Sequence, residues 1–351
     1  MQNAHNVLIS GIGNAEIDGG VFNGLTERQS ENFGIDIRKN AIIFAKNSTS
    51  FILDGIKIKR SRWHSLYFSD SSDITVKNVT FSVYPLYPDL GGAVLTGKAK
   101  NVTFDNISGI VGDELITVAM QEGKYYSECE DDSVENLIIK NISVNVSRKS
   151  VLRLICHDGR RIKGVKVDCV LDPSLPEEKK LPWSAISIGG YNGAVKRSCT
   201  ENELSDIIVR DVYSRGDRII EVCGSSSEVK CENLHGFGSV AYALQSTDFA
   251  HSEGLHLNGV FFRCIQGSRY MRGTATSTIT DKKKYIGTTA ALKGFTSRVI
   301  MENVFTDKNG DAFIMNGGGS LEVKNFFINE IGRQLVITDG KSNVVINGEK
   351  Y

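Results

Sequence analysis

Residues 100–120 read KNVTFDNISGIVGDELITVAM. The stretch opens on a short apolar alternation, Val102-Thr103-Phe104, turns through Asp105-Asn106-Ile107 and a Gly, and ends in a second apolar run from Leu115 to Val118. Its first half returns along almost the whole chain. With Val102 as anchor, an Asn, Asp or Gly stands four residues on, usually followed by an apolar residue. The same spacing starts at Val7 (VLISGI), Phe51 (FILDGI), Ile74 (ITVKNV), Leu137 (LIIKNI), Arg160 (RRIKGV) and Ile207 (IIVRDV). It continues at Val229 (VKCENL), Leu255 (LHLNGV), Val299 (VIMENV), Leu321 (LEVKNF) and Val344 (VVINGE). Most steps between anchors are 22 to 28 residues, one is 35, and the others, at 44 to 47, hold two turns or one long loop. A period of this size marks a solenoid, whose units bury their apolar faces only by stacking on one another.

The period inside each unit selects the kind of solenoid. Helical repeats need apolar residues at i, i+3 and i+4 over ten or more residues. Here the units are alternations of Val, Ile, Leu and Phe a few residues long, broken by Asn, Asp or Gly, which is strand chemistry. Asn and Gly tolerate the left-handed backbone of a tight bend, and Asn residues stacked from coil to coil would form an amide ladder. The expected fold is all-β, a single-domain right-handed parallel β-helix spanning residues 1–351 in about 10–12 coils, each about 4.8 Å from the next.

Composition agrees with many tight turns in a sheet that admits little proline, with 35 Gly against 5 Pro. The 41 basic and 41 acidic residues cancel, which argues against a general nucleic-acid binder. No run of about 20 apolar residues suggests a transmembrane helix, so no membrane partner is expected. The first residues, MQNAHNVLISGIG, lack the regions of a secretory signal. With seven Cys in no metal-ligand spacing, read as buried thiols at positions such as Cys156, Cys169 and Cys231, this leans towards a reducing, cytoplasmic compartment; secretion stays open. No cofactor or metal is called for, and monomer or homo-oligomer is left undecided. The Asn-x-Ser/Thr sequons at Asn47, Asn78, Asn101, Asn106, Asn141 and Asn145 fall mostly in or beside the repeating turn, so the fold itself generates them.

A second strand per coil is readable as WHSLYFS (63–69), GGAVLTG (91–97), DELITVA (113–119), SVLRLIC (150–156), SAISIGG (184–190) and DRIIEVC (217–223), with further copies downstream. Alternate side chains of a strand face opposite ways. If Leu66, Ile116, Leu152, Ile186 and Ile220 point inward, then Tyr67, Thr117, Arg153, Ser187 and Glu221 line the outside. The outer row is chemically varied, as a ligand-facing sheet requires. Three insertions, 121–133, 172–183 and 267–293, are candidate walls of a groove.

The candidate chemistry lies at Gly112-Asp113-Glu114, where the central coil enters its second strand. Stepping by coils places Trp63-His64 and Gly91-Gly92 on one side, and Arg148-Lys149, Pro182-Trp183 and Asp217-Arg218 on the other. Two carboxyl groups beside cations and an aromatic ring suit glycosidic cleavage, in which one acid protonates the leaving oxygen and a carboxylate activates water. His157, Arg153 and Glu221 lie further along the same strands, His157 as a group that orients an acid and Arg153 as a substrate contact. A surface ion pair of the Asp and Glu with Arg148 or Lys149 is the plainer reading.

The segments IDGG (17–20), NSTSFILDGIKIKRSRWHSLYFSDSSDITVKNVTF (47–81) and VGDELITV (111–118) resemble glycoside hydrolase family 28, the polygalacturonase-type β-helix enzymes, across roughly residues 7–169. The resemblance implies that Asp113 is the general acid, that Glu114 belongs to the water-activating pair, and that His157 in HDG matches the family's Gly-His-Gly histidine. Arg161-Ile162-Lys163 carries the letters of the family's substrate clamp but falls on a core-strand anchor. The family's Asn-Thr-Asp is replaced by Pro88-Asp89-Leu90-Gly91-Gly92, so Asp89 would serve from a shifted position or the role is absent. Three functions stay open. One is a hydrolase of a polysaccharide or oligosaccharide, inverting and acting on a chain that includes uronates. Another is a lyase using Lys149, Arg148 or Arg153, with Ca²⁺ on acidic side chains. The last is a non-catalytic carbohydrate-binding β-helix.

Overall fold

The computed structural model describes residues 4–11, 16–18, 38, 41–61, 63–83, 90–120, 132–146, 148–157, 159–172, 182–189, 199–238, 242–246, 252–264, 288–309, 311–332 and 334–351. Asp89 and most of the three insertions lie outside them. The described residues form strands and turns with no α-helix, and none of their elements is a helix long and apolar enough to cross a membrane.

Strands alternate along the chain between two sheets. The longer sheet stacks His5–Ser10, Thr49–Asp54, Ser72–Ser82, Ala99–Val111, Ser133–Val146, Arg161–Leu171 and Leu204–Ser214, then runs on to Asn343–Ile346. The shorter sheet stacks Ile43–Lys46, Leu66–Ser69, Ala93–Thr96, Ile116–Met120, Ser150–Cys156, Ser184–Ile188 and Arg218–Val222, then runs on to Val336–Thr338. Neighbours pair in parallel along both sheets; the exception is the closing pair of Asn343–Ile346 with Glu349–Lys350, which is antiparallel. Two parallel sheets fed alternately by one chain are compatible with the expected β-helix. One continuous apolar core runs between them from Ile43 to Ile346.

The repeating turn explains the long strands. Val102 and Phe104 face the core in ordinary alternation, and Asn106 then adopts φ 55°. This left-handed residue shifts the alternation by one, so Ile107 also faces inward. The equivalent position is left-handed in the neighbouring coils at Gly55, Asn78, Asn141, Asp211, Asn233, Gly259, Asn303, Asn325 and Gly348, where Gly and Asn carry the least penalty. The amide ladder is present in part. Asn106 Nδ2 donates to Asn78 Oδ1 at 2.7 Å, and Asn78 Nδ2 to Asp54 Oδ1 at 2.7 Å.

One repeat is displaced from its expected place. Leu137 pairs with Val165, and Val165 with Ile207, so the anchor of that coil is Val165 and not Arg160. Its turn position is held by Cys169 at φ 57°, a residue outside the Asn, Asp and Gly pattern. For the same reason Cys169 is exposed, whereas Cys156, Cys199, Cys223 and Cys231 are buried free thiols.

One residue before each turn, the outer face carries a row of alternating charge. Asp54, Lys77, Asp105, Lys140, Asp168, Arg210 and Glu232 occupy successive rungs. Lys77–Asp54, Lys140–Asp105 and Arg210–Glu232 pair at 3.3, 3.2 and 2.8 Å. Such exposed pairs add little stability each, but slipping one strand by a rung sets like charges side by side, which opposes wrong stacking.

Candidate functional site

The outer row of the shorter sheet forms as the alternation requires. Tyr67, Val94, Thr117, Arg153, Ser187, Glu221 and Gln245 stack rung upon rung, with Leu66, Ala93, Ile116, Leu152, Ile186 and Ile220 behind them in the core. Stepping back along the same register puts His64, Gly91, Glu114 and Ser150 in one row, and Trp63, Leu90, Asp113, Lys149, Trp183 and Asp217 in the next. The steps expected at Gly91-Gly92, Arg148-Lys149 and Pro182-Trp183 are therefore one residue off.

Around Glu114 this register gathers a compact cluster. Lys149 Nζ lies 3.0 Å from Asp113 Oδ2 and 3.3 Å from Glu114 Oε1, and Arg153 donates through an NH1 hydrogen to the same Glu114 oxygen at 2.8 Å. Asp113 and Glu114 are buried to 1% and 2% exposure. Burial alone would raise the pKa of Glu114. Lys149, the neighbouring Asp113 side chain, Arg153 and His64 outweigh it and hold Glu114 well below the usual carboxylate range. Lys149 is raised in turn: burial disfavours its charge, but Glu114 and Asp113 more than offset that. Arg153 is raised on the same grounds, with Glu114 its chief partner. Asp113 and Glu114 thus share the Lys149 ammonium, and Glu114 is the carboxyl group held as an anion.

His64 closes the cluster on one side. A β-carbon at Gly91 would collide with His64 Nδ1 and stand 2.8 Å from the Glu114 carbonyl oxygen, so the rung between them must be Gly. One face of the Trp63 ring stacks on Tyr67 at 5.5 Å and 21°, and Trp63 and His64 meet edge to face. Trp63, 8% exposed, thus walls the site and offers little ring surface to a ligand. Arg148 is half-buried and makes no ion pair with the carboxyl groups among the described residues. Trp183, half-buried, lies one rung beyond Lys149 and donates its backbone N–H to the Lys149 carbonyl at 2.7 Å. Asp89 lies outside the described residues.

His157 does not join the cluster. It follows the strand Ser150–Cys156 that Lys149 precedes, eight residues on, or about 26 Å along an extended chain. It is fully buried there, with its backbone N–H on Met120 O at 2.9 Å.

A second polar group sits two rungs from Arg153. Glu221 pairs with Arg218 NH1 at 3.2 Å, and Arg218 Nε donates to Gln245 Oε1. Asp217, beside them, is pushed up to about 7 by burial; Glu221 adds to the rise and Arg218 opposes it. Gln245 was legible as the next member of the outer row. The thiol of Cys223, 3.8 Å from Ser187 Oγ and raised by burial, carried no sequence signal. Among the described residues no group of three or more His, Cys, Asp or Glu side chains is placed to hold a metal ion.

No family model, curated protein or solved structure matches the chain. The polygalacturonase resemblance therefore rests on the residues that carry it.

Proposed function

We propose that the protein is a glycoside hydrolase, built as a right-handed parallel β-helix, that cleaves a polysaccharide or oligosaccharide lying across the outer face of the shorter sheet. The observation that carries this reading is a buried pair of adjacent carboxyl groups, Asp113 and Glu114, of which Lys149 and Arg153 hold Glu114 as an ion. Glycosidic cleavage needs one carboxyl group as proton donor and an ionised one beside it, and Asp113 is assigned as the donor.

The geometry supports the following roles. Asp113 gives its proton to the leaving oxygen as the glycosidic bond breaks. Glu114 is too firmly held as an anion to take a proton; its charge instead faces the oxocarbenium-like centre. Acid and second carboxylate stand about 6.5–9.5 Å apart in inverting enzymes and about 5 Å in retaining ones. Asp113 and Glu114 hold one ammonium between them, at 3.0 and 3.3 Å, which is short of the inverting separation; the carboxylate that takes the proton of the attacking water comes from elsewhere, with Asp89 as the candidate. Lys149 and Arg153 have side chains 24% and 18% exposed and form the solvent side of the cluster. Their charge favours a sugar bearing a carboxylate. A uronate that takes up Lys149 also uncovers the Asp113 oxygen which Lys149 holds. A lyase with Lys149 as base is disfavoured, because its two carboxyl neighbours keep that amine protonated.

The burial of both carboxyl groups favours a second reading, a glycan-binding β-helix in which the cluster only ties coils together. Reducing-end release from a panel of plant and bacterial polysaccharides separates the two. The hydrolase reading expects release by the wild type and none by Asp113→Asn, with the fold intact by circular dichroism. Release unchanged in Asp113→Asn overturns the assignment of the acid. Binding of one polymer without release favours the glycan reader.

A further inference from the structure

The longer sheet has an outer face that changes character along its length. Six residues past the anchor, the early coils carry Lys57, Thr80, Ser108 and Ser143. From Leu171 onward the row turns apolar, and Tyr213, His235, Phe261, Phe305 and Phe327 follow on successive rungs. Consecutive rings stack with centroids 4.4 to 5.2 Å apart and planes within 9° of parallel. The stack is open to solvent: Tyr213, Phe261, Phe305 and Phe327 are 38, 38, 40 and 58% exposed, and Phe237 beside it is 40% exposed. A groove of about 500 Å³ runs alongside, bounded by Phe237, Phe261, Phe305 and Phe327.

We propose that this stripe is the interface of a homodimer, with two copies of the chain packed stripe to stripe about a two-fold axis at Phe261. Area supports a second copy. With Leu171, 44% exposed, the stripe leaves on the order of 500 Å² of apolar side chain in water, taking about 200 Å² per large side chain. Homodimer interfaces are about 65% apolar, so this area is the apolar part of an interface of roughly 800 Å² per partner, the size of a stable complex. Repeat length supports it as well. Ring edges recur at the rung spacing, and an identical copy is certain to present the same spacing over the same length. The two-fold brings Phe237 of the second copy to the Phe305 rung, beside the groove. A glycan fits this surface poorly. Sugars pack on ring faces, and in the stack those faces are covered by neighbouring rings, leaving edges outward.

The test is the mass of the full chain in solution, by sedimentation velocity and light scattering between about 1 and 100 µM, at and above the weak end of the affinities shown by interfaces of this size. Phe261→Ser and Phe305→Ser place in the row the residue that Ser108 and Ser143 already hold there, so the fold should tolerate them. The wild type is expected to be a dimer; the double variant is expected to be monomeric, or at least tenfold weaker, with unchanged circular dichroism. Phe261→Cys, at the two-fold, is expected to form an intermolecular disulfide under mild oxidation. A wild type that stays monomeric at the highest concentration overturns the proposal. So does a dimer that survives both serines, or a stripe that proves to bind a polysaccharide as a monomer.

Discussion

Glu114→Gln tests the physical basis of the site without needing a substrate. The side chain of Glu114 is 3% exposed and takes Arg153 at 2.8 Å and Lys149 at 3.3 Å. Both cations are less than a quarter exposed, so the cluster counts as buried. Removing one partner of a buried pair costs about 3–5 kcal/mol, because the remaining charge loses its compensation. Gln keeps the shape and one acceptor oxygen, which puts the expectation at the low end, about 3 kcal/mol. Arg153→Met should cost a similar amount alone. The double variant removes charge of both signs and should cost less than the two singles together, by about 1.5–3 kcal/mol. Urea unfolding at pH 7, followed by far-UV circular dichroism in all four proteins, measures each term, provided the slopes agree. Acid behaviour follows from the same cluster. The pKa of Glu114 is lowered in the folded state, so its contribution is present above the ordinary value of 4.5 and is lost as pH falls through the folded pKa. The Gln variant should lack that part of the acid limb. A loss below about 1 kcal/mol with no coupling, as an exposed pair gives, would refute the reasoning.

Three further outcomes are expected. Asp217 titrates near 7 against 3.8, so the unfolded chain releases this proton first and stability falls as pH rises from about 4 to 7, by on the order of 4 kcal/mol. Asp217→Asn should flatten that slope in thermal melts across the range; equal slopes would mean that Asp217 titrates normally. Asn106→Ala should cost about 1–2 kcal/mol, from its left-handed backbone and the lost bond to Asn78. Asn106→Gly should recover the backbone share in the same denaturant titration; no recovery would place the whole cost in the ladder. Gly91→Ala drives a β-carbon into His64. It should cost about 1–3 kcal/mol and shift the His64 ring resonances, whereas an unchanged spectrum would mean that His64 does not pack on that rung.

Most of the fold was legible because it is written in a local code read many times over. The turn residue must tolerate a left-handed backbone, and eleven of the twelve anchors were found through it. The coil that failed uses Cys169 at that place, and RRIKGV, with its own left-handed Gly164, imitated the pattern one strand segment too early. The outer row of the shorter sheet was legible through strict alternation from Tyr67 to Glu221. Steps between strands were less so. A loop can lengthen by one residue without changing either strand, and this moved the expected partners at Gly91-Gly92 and Arg148-Lys149 by one. Lys149 and Arg153 were singled out from the sequence, but their joint grip on Glu114 depends on side-chain reach across rungs. His157 was placed near the acids by a motif, and the length of its strand carries it to the other end. The aromatic stripe escaped notice because its members are 22 to 44 residues apart and each alone reads as an ordinary strand residue.

The proposed role of Asp113 as general acid requires it to keep a proton beside an ionised Glu114, and infrared difference spectroscopy reads this directly. Wild type and Asp113→Asn would be compared at pH 8.5, where Asp217, near 7, is mostly ionised as well. The carbonyl stretch of one neutral carboxylic acid should be present in the wild type and missing from the variant. A wild-type spectrum in which Asp113 contributes only carboxylate bands would contradict the account.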